Sequence, residues 1–504
     1  MADPSATEPC DLPAVEARWL IGTKRLSPVE LLDSCLARIA AVDGAVNAVV
    51  ALDEARARAA AKEAEAAVAR GDGLRALHGL PLGVKDLEDT AGLRTTYGSP
   101  LYADHVPSAS QHAVAELEAT GGAVLLGKTN TPEFGAGANT RNAVYGATGN
   151  PFDPRLSAAG SSGGSAAALA CGMVPLATGS DVGGSLRNPA AFCGVVGFRP
   201  SPGLVANERG VVGWSPLPVL GPMARSVADA RLMLPSMTGM DPRDPLHGLA
   251  RLPWSDRDGF AARPWVDLSR LRVAATEDFG FAPTSRAIRA VFRSRVEALT
   301  PLLGRVDWAH PDSGGADEAF AVLRASNMLA AHLDRVRSHP DRVGGNVRAN
   351  VEEGLRYGLA DGARAAATQT AIYRAWEWFF DGMGYDAILS PAVTISPRPW
   401  AEWFPAEIDG VPTRSYYHWL ALAYAATLVG HPALCLPLGR DGAGMPFGLQ
   451  LVGRPGRDAD LLDIGVALEA ALAGDATLGR PVPDLATLRA APPIRDAPGF
   501  LDAG

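Results

Sequence analysis

The chain has 504 residues, 47% hydrophobic and 20% charged, with a formal net charge of −9. That composition belongs to a globular protein with a large core. The acidic balance, without any Lys/Arg block, excludes the basic face that a nucleic-acid partner requires. The most apolar stretch, WLALAYAATLV (419–429), is shorter than the ~20 residues of a membrane span and stops at Gly430-His431-Pro432. It is expected as a buried core helix, and no membrane contact is expected. The N-terminus MADPSATEPC lacks the apolar core of a signal peptide. Cys10, Cys35, Cys171, Cys193 and Cys435 are scattered and mostly flanked by apolar residues, as suits buried thiols in a reducing compartment. A cytoplasmic protein is expected.

Ser27-Pro28-Val29-Glu30 forms a capping box with proline at the first helical position. Val29, Leu32, Leu36 and Ile39 recur behind it at helical spacing. A second helix, rich in Ala, Glu and Arg, is predicted from about Asp53 to Arg70, ending at Gly71. Residues 1–70 thus read as an N-terminal helical wrapper on the rest, 71–504. HGLPLGVKD (78–86) reads as a short apolar strand ending in charge. A helix at 111–119, a strand at 123–127 and a loop from Lys128 to about Ser157 follow. The Pro-, Asp- and Arg-rich stretch 240–265 reads as a surface excursion. Then come a strand at 271–275, a helix from about Ser285 to Leu299 and a mostly helical stretch, 316–384. A strand at 387–393 and a strand pair at 433–439 and 448–453 close the pattern. Short strands alternating with helices predict an α/β protein built on a sheet.

Lysine occurs only at Lys24, Lys62, Lys85 and Lys128, although Lys and Arg together number 46. Arginine is effectively never neutral, whereas a buried lysine can lose its proton. Two glycine-serine stretches, GSSGGS (160–165) and DVGGS (181–185), stand further along the chain. A flexible linker does not fit GSSGGS, because the small apolar run AAALACGMVPLATG follows it directly. Gly160 to Gly164 also match a nucleophile elbow with Ser162 as nucleophile and His431 as base, but the preceding NPFDPRLSAA makes a poor strand. A phosphate loop fails for want of a closing Lys-Ser/Thr. A third reading uses all the pieces. Gly183 and Gly184 let backbone N–H groups turn inward as an oxyanion nest, with Ser185 as the nucleophile facing it. Lys85, at the end of an apolar strand, is the base, and its alternative is a salt bridge to Asp86 or Glu88.

GLPLGVKD (79–86), GKTNTPEF (127–134), AAGSSGGSAAALACG (158–172), GSDVGGSLRNPAAFCGVVGFRPSPG (179–203) and GPMARSVADA (221–230) together resemble the amidase signature family. GHPALCLPLG (430–439) and GMPFGLQLVG (444–453) resume the likeness. The resemblance implies a single large domain, a mixed β-sheet core covered by helices on both faces, with a variable, mostly helical region at about 240–385. It implies hydrolysis of a small-molecule amide through a Ser-Ser-Lys triad. The lysine maps onto Lys85, the bridging serine, which carries a cis peptide bond, onto Ser161, and the nucleophile onto Ser185. The oxyanion hole maps onto the N–H groups of Val182, Gly183, Gly184 and Ser185. Lys128 maps onto a scaffold residue. Ala159, Ser180 and Arg199 depart from the residues usual in the family, and none of them is in the triad.

In relatives the stretch after PEF lines the acyl pocket. Here it is Gly135, Ala136, Gly137 and Ala138, all small, which implies a roomy site. Trp400, Trp403, Phe404, Tyr416, Tyr417 and Trp419 are candidates for an aromatic wall that favours aryl amides, anilides or carbamates, with Trp419 in the pocket itself. The rival within the family is the ammonia-releasing component of an amidotransferase, which takes ammonia from glutamine for a partner protein. A homodimer is compatible with the resemblance. No cofactor is implied, and no metal: the nine histidines form no HExxH or similar cluster.

Overall fold

In the computed structural model, which describes residues 8–250 and 266–501, the Pro81–Lys85 strand is buried at every position. It lies between two parallel neighbours, Val124–Thr129 and Leu176–Asp181. A strand covered on both faces loses the polar alternation of a surface strand, which is why LPLGV reads as an unbroken apolar run. Among the described residues these three belong to a mixed sheet of eleven strands. The order across it is Val49–Leu52, Val124–Thr129, Pro81–Lys85, Leu176–Asp181, Val219–Ala224, Val196–Arg199, Ala433–Arg440, Pro446–Val452, Ala387–Pro391, Arg272–Ala275 and Arg305–Trp308. The central neighbours pair antiparallel, while Ala387–Pro391, Arg272–Ala275 and Arg305–Trp308 run parallel. One continuous apolar core extends from Cys10 to Leu488, and helices pack on the sheet, giving a single large α/β domain.

The helix boundaries follow their sequence signals. Ser27 caps Pro28–Val46 through the expected box, and Ser285 caps Arg286–Leu299 by accepting from Ile288 N. Gly71 ends Glu54–Arg70 in the left-handed conformation. The stretch 316–384 resolves into Ala316–Ser338, Gly345–Gly354 and Leu359–Met383, and the apolar run at 419–429 contains the wholly buried Ala421–Leu428 helix. All five cysteines are free and buried. No helix among the described residues is long and apolar enough to cross a membrane. Part of the 240–265 excursion, residues 251–265, lies outside the described residues.

GSSGGS is not a linker. It opens the Gly163–Ala170 helix, which is buried along its whole length. A Cβ on Gly164 would stand 2.1 Å from Asn130 N, and one on Gly163 would stand 2.3 Å from Thr140 Oγ1. The glycines are there because neighbouring segments cross too closely for a side chain.

Candidate active site

Lys85 ends its strand with its side chain wholly buried. Its Nζ lies 2.7 Å from Ser161 Oγ, 2.9 Å from Ser162 Oγ and 3.0 Å from Ser180 Oγ. Burial pushes its pKa down, against the charges of Glu88 and Asp181, which push it up. Neither carboxylate expected as a salt-bridge partner takes the ammonium, and Asp86 accepts from Thr96 instead. The three hydroxyl neighbours of Lys85 can accept three N–H bonds from the ammonium, or accept two from the neutral amine while the third hydroxyl donates to its lone pair.

Ser161 follows Gly160 across a cis peptide bond and is 2% exposed. Ser162, the nucleophile of an elbow, is fully buried beside Lys85, with its hydroxyl also within 3.4 Å of the Ser180 carbonyl. His431 is remote from it, with Nδ1 2.8 Å from the Gly453 carbonyl. The two glycine-serine segments meet directly: Ser162 N donates to the Ser185 carbonyl at 3.3 Å. Ser185 is half-buried and lines a cavity of about 310 Å³.

The turn before Ser185 is held from beneath by Asp181. Its carboxylate accepts from Gly184 N (3.0 Å) and Leu186 N (3.1 Å), and from Arg187 Nη2 (2.8 Å) and Nε (3.1 Å). Arg199 Nη1 adds a contact at 3.2 Å. Burial alone would raise this carboxyl's pKa, but the two guanidiniums override it and hold the group well below the carboxylate range. Gly184 sits at φ +109°, and a Cβ there would stand 2.4 Å from Ala423 Cβ. Because Gly184 N–H is committed to Asp181, Gly184 contributes conformation to the turn. Val182 and Gly183 line the cavity beside Ser185.

Lys128 is equally buried, and burial lowers its pKa to about 8, but it donates to the Glu88 carbonyl and to Thr90 Oγ1 (3.0 Å) and touches none of the serines.

Gly135, Ala136 and Gly137 line the cavity, and a Cβ on Gly135 would lie 3.5 Å from Ser161 Oγ. Ala138 and Trp419 do not line it. Both face a separate crevice of about 20 Å³ with Trp403 and Phe404, and Trp419 stacks on Phe192 at 5.9 Å. The chain at 135–138 runs between the two spaces, so its residues divide between them. The aromatic wall is divided in the same way. Trp400 packs with Ala147 and Ile494, while Tyr416 and Tyr417 line the cavity.

The motifs in the sequence did not disclose the wall supplied by Ala316–Ser338. Phe320, Arg324, Asn327 and Ala331 recur along one face of that helix and all line the cavity. An arginine in register with Phe320 and Ala331 was the available signal. No Asp or Glu among the described residues lines this cavity.

The Amidase family model matches residues 30–462. The chain is 36% identical over 495 residues to the A subunit of the glutamyl-tRNA(Gln) amidotransferase of Anaeromyxobacter dehalogenans (strain 2CP-C), covering 92% of this chain and 97% of the relative. It is 33% identical over 462 residues to an acylamidase of Rhodococcus erythropolis, covering 91% and 95%. The crystal structure of a bacterial aryl acylamidase of the amidase signature family superimposes with a TM-score of 0.82 at 26% identity, covering 91% of this chain and 96% of that one. The chain belongs to the amidase signature family, enzymes that hydrolyse amide C–N bonds.

Proposed function

We propose that the protein is a free-standing amidase whose triad is Ser185, Ser161 and Lys85. The observation that carries this reading is the wholly buried Lys85 amine 2.7 Å from Ser161 Oγ, on the segment whose next residue, Ser162, donates its N–H to the carbonyl of the cavity-lining Ser185. Neutral Lys85 takes the Ser161 proton as Ser161 takes that of Ser185. Ser185 Oγ then bonds to the carbonyl carbon, and the carbonyl π pair moves onto oxygen. The N–H groups of Val182, Gly183 and Ser185 receive that oxyanion, each such donor being worth about 10²–10³ in rate. The relay returns a proton to the leaving nitrogen, the C–N bond breaks, and the amine departs from an acyl-enzyme ester. Water, deprotonated by the same relay, cleaves the ester to the acid and regenerates Ser185. The small residues at 135–137 favour a bulky acyl group, and carbamates fit the same chemistry. The protein is proposed to work in the cytoplasm.

A second reading, an amidotransferase component that takes ammonia from glutamine for a partner, draws support from the amidotransferase relative at 36% identity. Against it, no described residue lining the cavity offers a carboxylate for glutamine's α-ammonium.

The deciding experiment is turnover of acetanilide, 4-nitroacetanilide, hexanamide, benzamide, an aryl carbamate, a dipeptide amide and glutamine by wild type, Ser185→Ala and Lys85→Ala. Hydrolysis of aryl or aliphatic amides, lost by about 10⁴-fold or more in both variants, is the expected result. Glutamine as the sole substrate would favour the amidotransferase reading, and activity surviving Ser185→Ala would remove Ser185 from its role.

A further inference from the structure

We infer that the substrate amide carries a carboxylate, received by Arg324 in the cavity that also holds Ser185. The inference rests on the amidase reading and names its substrate class. Arg324 is only 6% exposed and lines the cavity from the Ala316–Ser338 helix. Its guanidinium carbon lies 4.7 Å from the ring centre of Tyr417 and 5.0 Å from that of Tyr416, and it donates to the Tyr416 hydroxyl. Nη1 is buried with no acceptor, and no carboxylate among the described residues stands within ion-pair distance.

Arg225 and Arg295, also buried without a carboxylate, have their N–H groups taken: they donate to the carbonyls of Val174, Cys10 and Leu12 and of Leu438 and Arg440. Arg187 and Arg199 share Asp181, Arg38 has Glu8 and Asp11, and Arg209, on the same cavity, pairs with Asp89 at 3.2 Å. Arginine cannot escape the cost of burial by releasing its proton. A buried charge without a counter-ion is expensive, and aromatic faces offset only part of that cost. The fold therefore holds a desolvated cation whose best partner is a planar anion matching the guanidinium fork.

The rest of the cavity agrees. Among the described residues it has no acidic side chain to repel a carboxylate or to hold an ammonium, which points to a simple acid rather than an amino acid. His332, also in the wall, is kept neutral: burial first, then the charges of Arg335 and Arg324, lower its pKa to about 4.

The test measures binding in the inert Ser185→Ala protein by calorimetry, using two matched pairs. Glutaric mono-4-nitroanilide against valeryl 4-nitroanilide places the carboxylate on the acyl side, and 4-acetamidobenzoate against acetanilide places it on the amine side. In one pair the anion should bind about 10- to 100-fold more tightly than its neutral partner, and Arg324→Gln should bring that ratio to near one. Arg324→Lys keeps the charge without the fork and should give an intermediate ratio, which serves as the readout if Arg324→Gln does not fold. A ratio near one in both pairs, binding of no probe, or a preference that survives Arg324→Gln would overturn the inference. Wild-type turnover of the same compounds separates the two claims. Ser185-dependent hydrolysis without anion preference would sink the carboxylate and leave the amidase, whereas anion-selective binding without hydrolysis would do the reverse.

Discussion

The floor and the roof of the cavity are built by different means. The floor, from Lys85 through Ser161 to Ser185, is positioned by backbone: buried strands and short helices of Gly, Ala and Ser whose segments meet at distances that admit no side chain. The roof is positioned by side chains, with Phe320 and Arg324 coming from a 23-residue helix and Tyr416 and Tyr417 from the turn before Ala421–Leu428. The groups proposed to break the bond tolerate little displacement, and they sit where the backbone leaves no freedom. The groups proposed to choose a substrate sit on elements that can change residue by residue without disturbing the floor.

Lys85→Ala tests the floor most severely. It should lower kcat/KM by about 10⁴-fold or more for every amide alike, with the circular dichroism spectrum retained. A loss confined to one substrate class would move Lys85 into the roof. In the wild type, kcat/KM should rise with pH through a limb well below the pKa of ~10.4 of free lysine, because the proposed relay needs the neutral amine and burial lowers its pKa. The stability sign agrees. Between the lowered folded value and the ordinary unfolded value the unfolded chain binds the extra proton, so stability should rise with pH across that window and fall as pH drops through the folded value.

Asp181→Asn strikes the same floor from beneath. It leaves Arg187 and Arg199 buried without their shared anion and weakens the acceptors for Gly184 and Leu186. Removing one partner of such a group typically costs about 3–5 kcal/mol, so the urea midpoint should fall sharply. An unchanged midpoint would mean that the turn before Ser185 does not depend on the carboxylate.

This division explains what could be read from the sequence. Lys85 stood out because lysine is rare here, and GSSGGS and DVGGS because glycine and serine precede apolar runs; both are local signals. Helix ends were legible at Ser27, Gly71 and Ser285, where single residues satisfy or terminate backbone groups. Strands such as Val49–Leu52, Leu176–Asp181, Val196–Arg199 and Val219–Ala224 were not. LATGSD and LGPMA contain glycine or proline and little β-branching, and they become strands through the neighbours that pair with them. Nor was the roof legible, since Arg324 and Ser185 stand 139 positions apart in the chain and only the fold brings them to one cavity. Gly135 and Gly137 line the cavity with Ser185 while Ala138 and Trp419 line the crevice, because spacing along the chain does not say on which side of it a space lies.

Gly137→Phe acts where floor and roof meet. Gly137 lines the cavity, but its added Cβ would stand 3.0 Å from Pro132 Cβ, so Pro132 must give by a few tenths of an ångström for the ring to turn into the cavity. Activity on bulky acyl amides should fall about 10- to 200-fold relative to acetyl amides. Equal loss on both would mean that the ring disturbs the catalytic residues rather than filling acyl space.

The smallest effect is expected at Trp419, which in sequence had as strong a claim to the roof as Tyr417. It is buried against Phe192, its indole Nε1 has no hydrogen-bond partner among the described residues, and it faces the small crevice. Trp419→Phe keeps a ring on Phe192 and removes no hydrogen bond, so stability should change by less than about 1.5 kcal/mol and kcat/KM on aryl amides by no more than about two-fold. Tyr417→Phe, run beside it, alters a residue that lines the cavity under the Arg324 guanidinium and whose hydroxyl bonds Glu353, so it should shift aryl-amide KM further. If Trp419→Phe gave the larger shift of the two, the crevice rather than the 310 Å³ cavity would be the space that receives the substrate's ring.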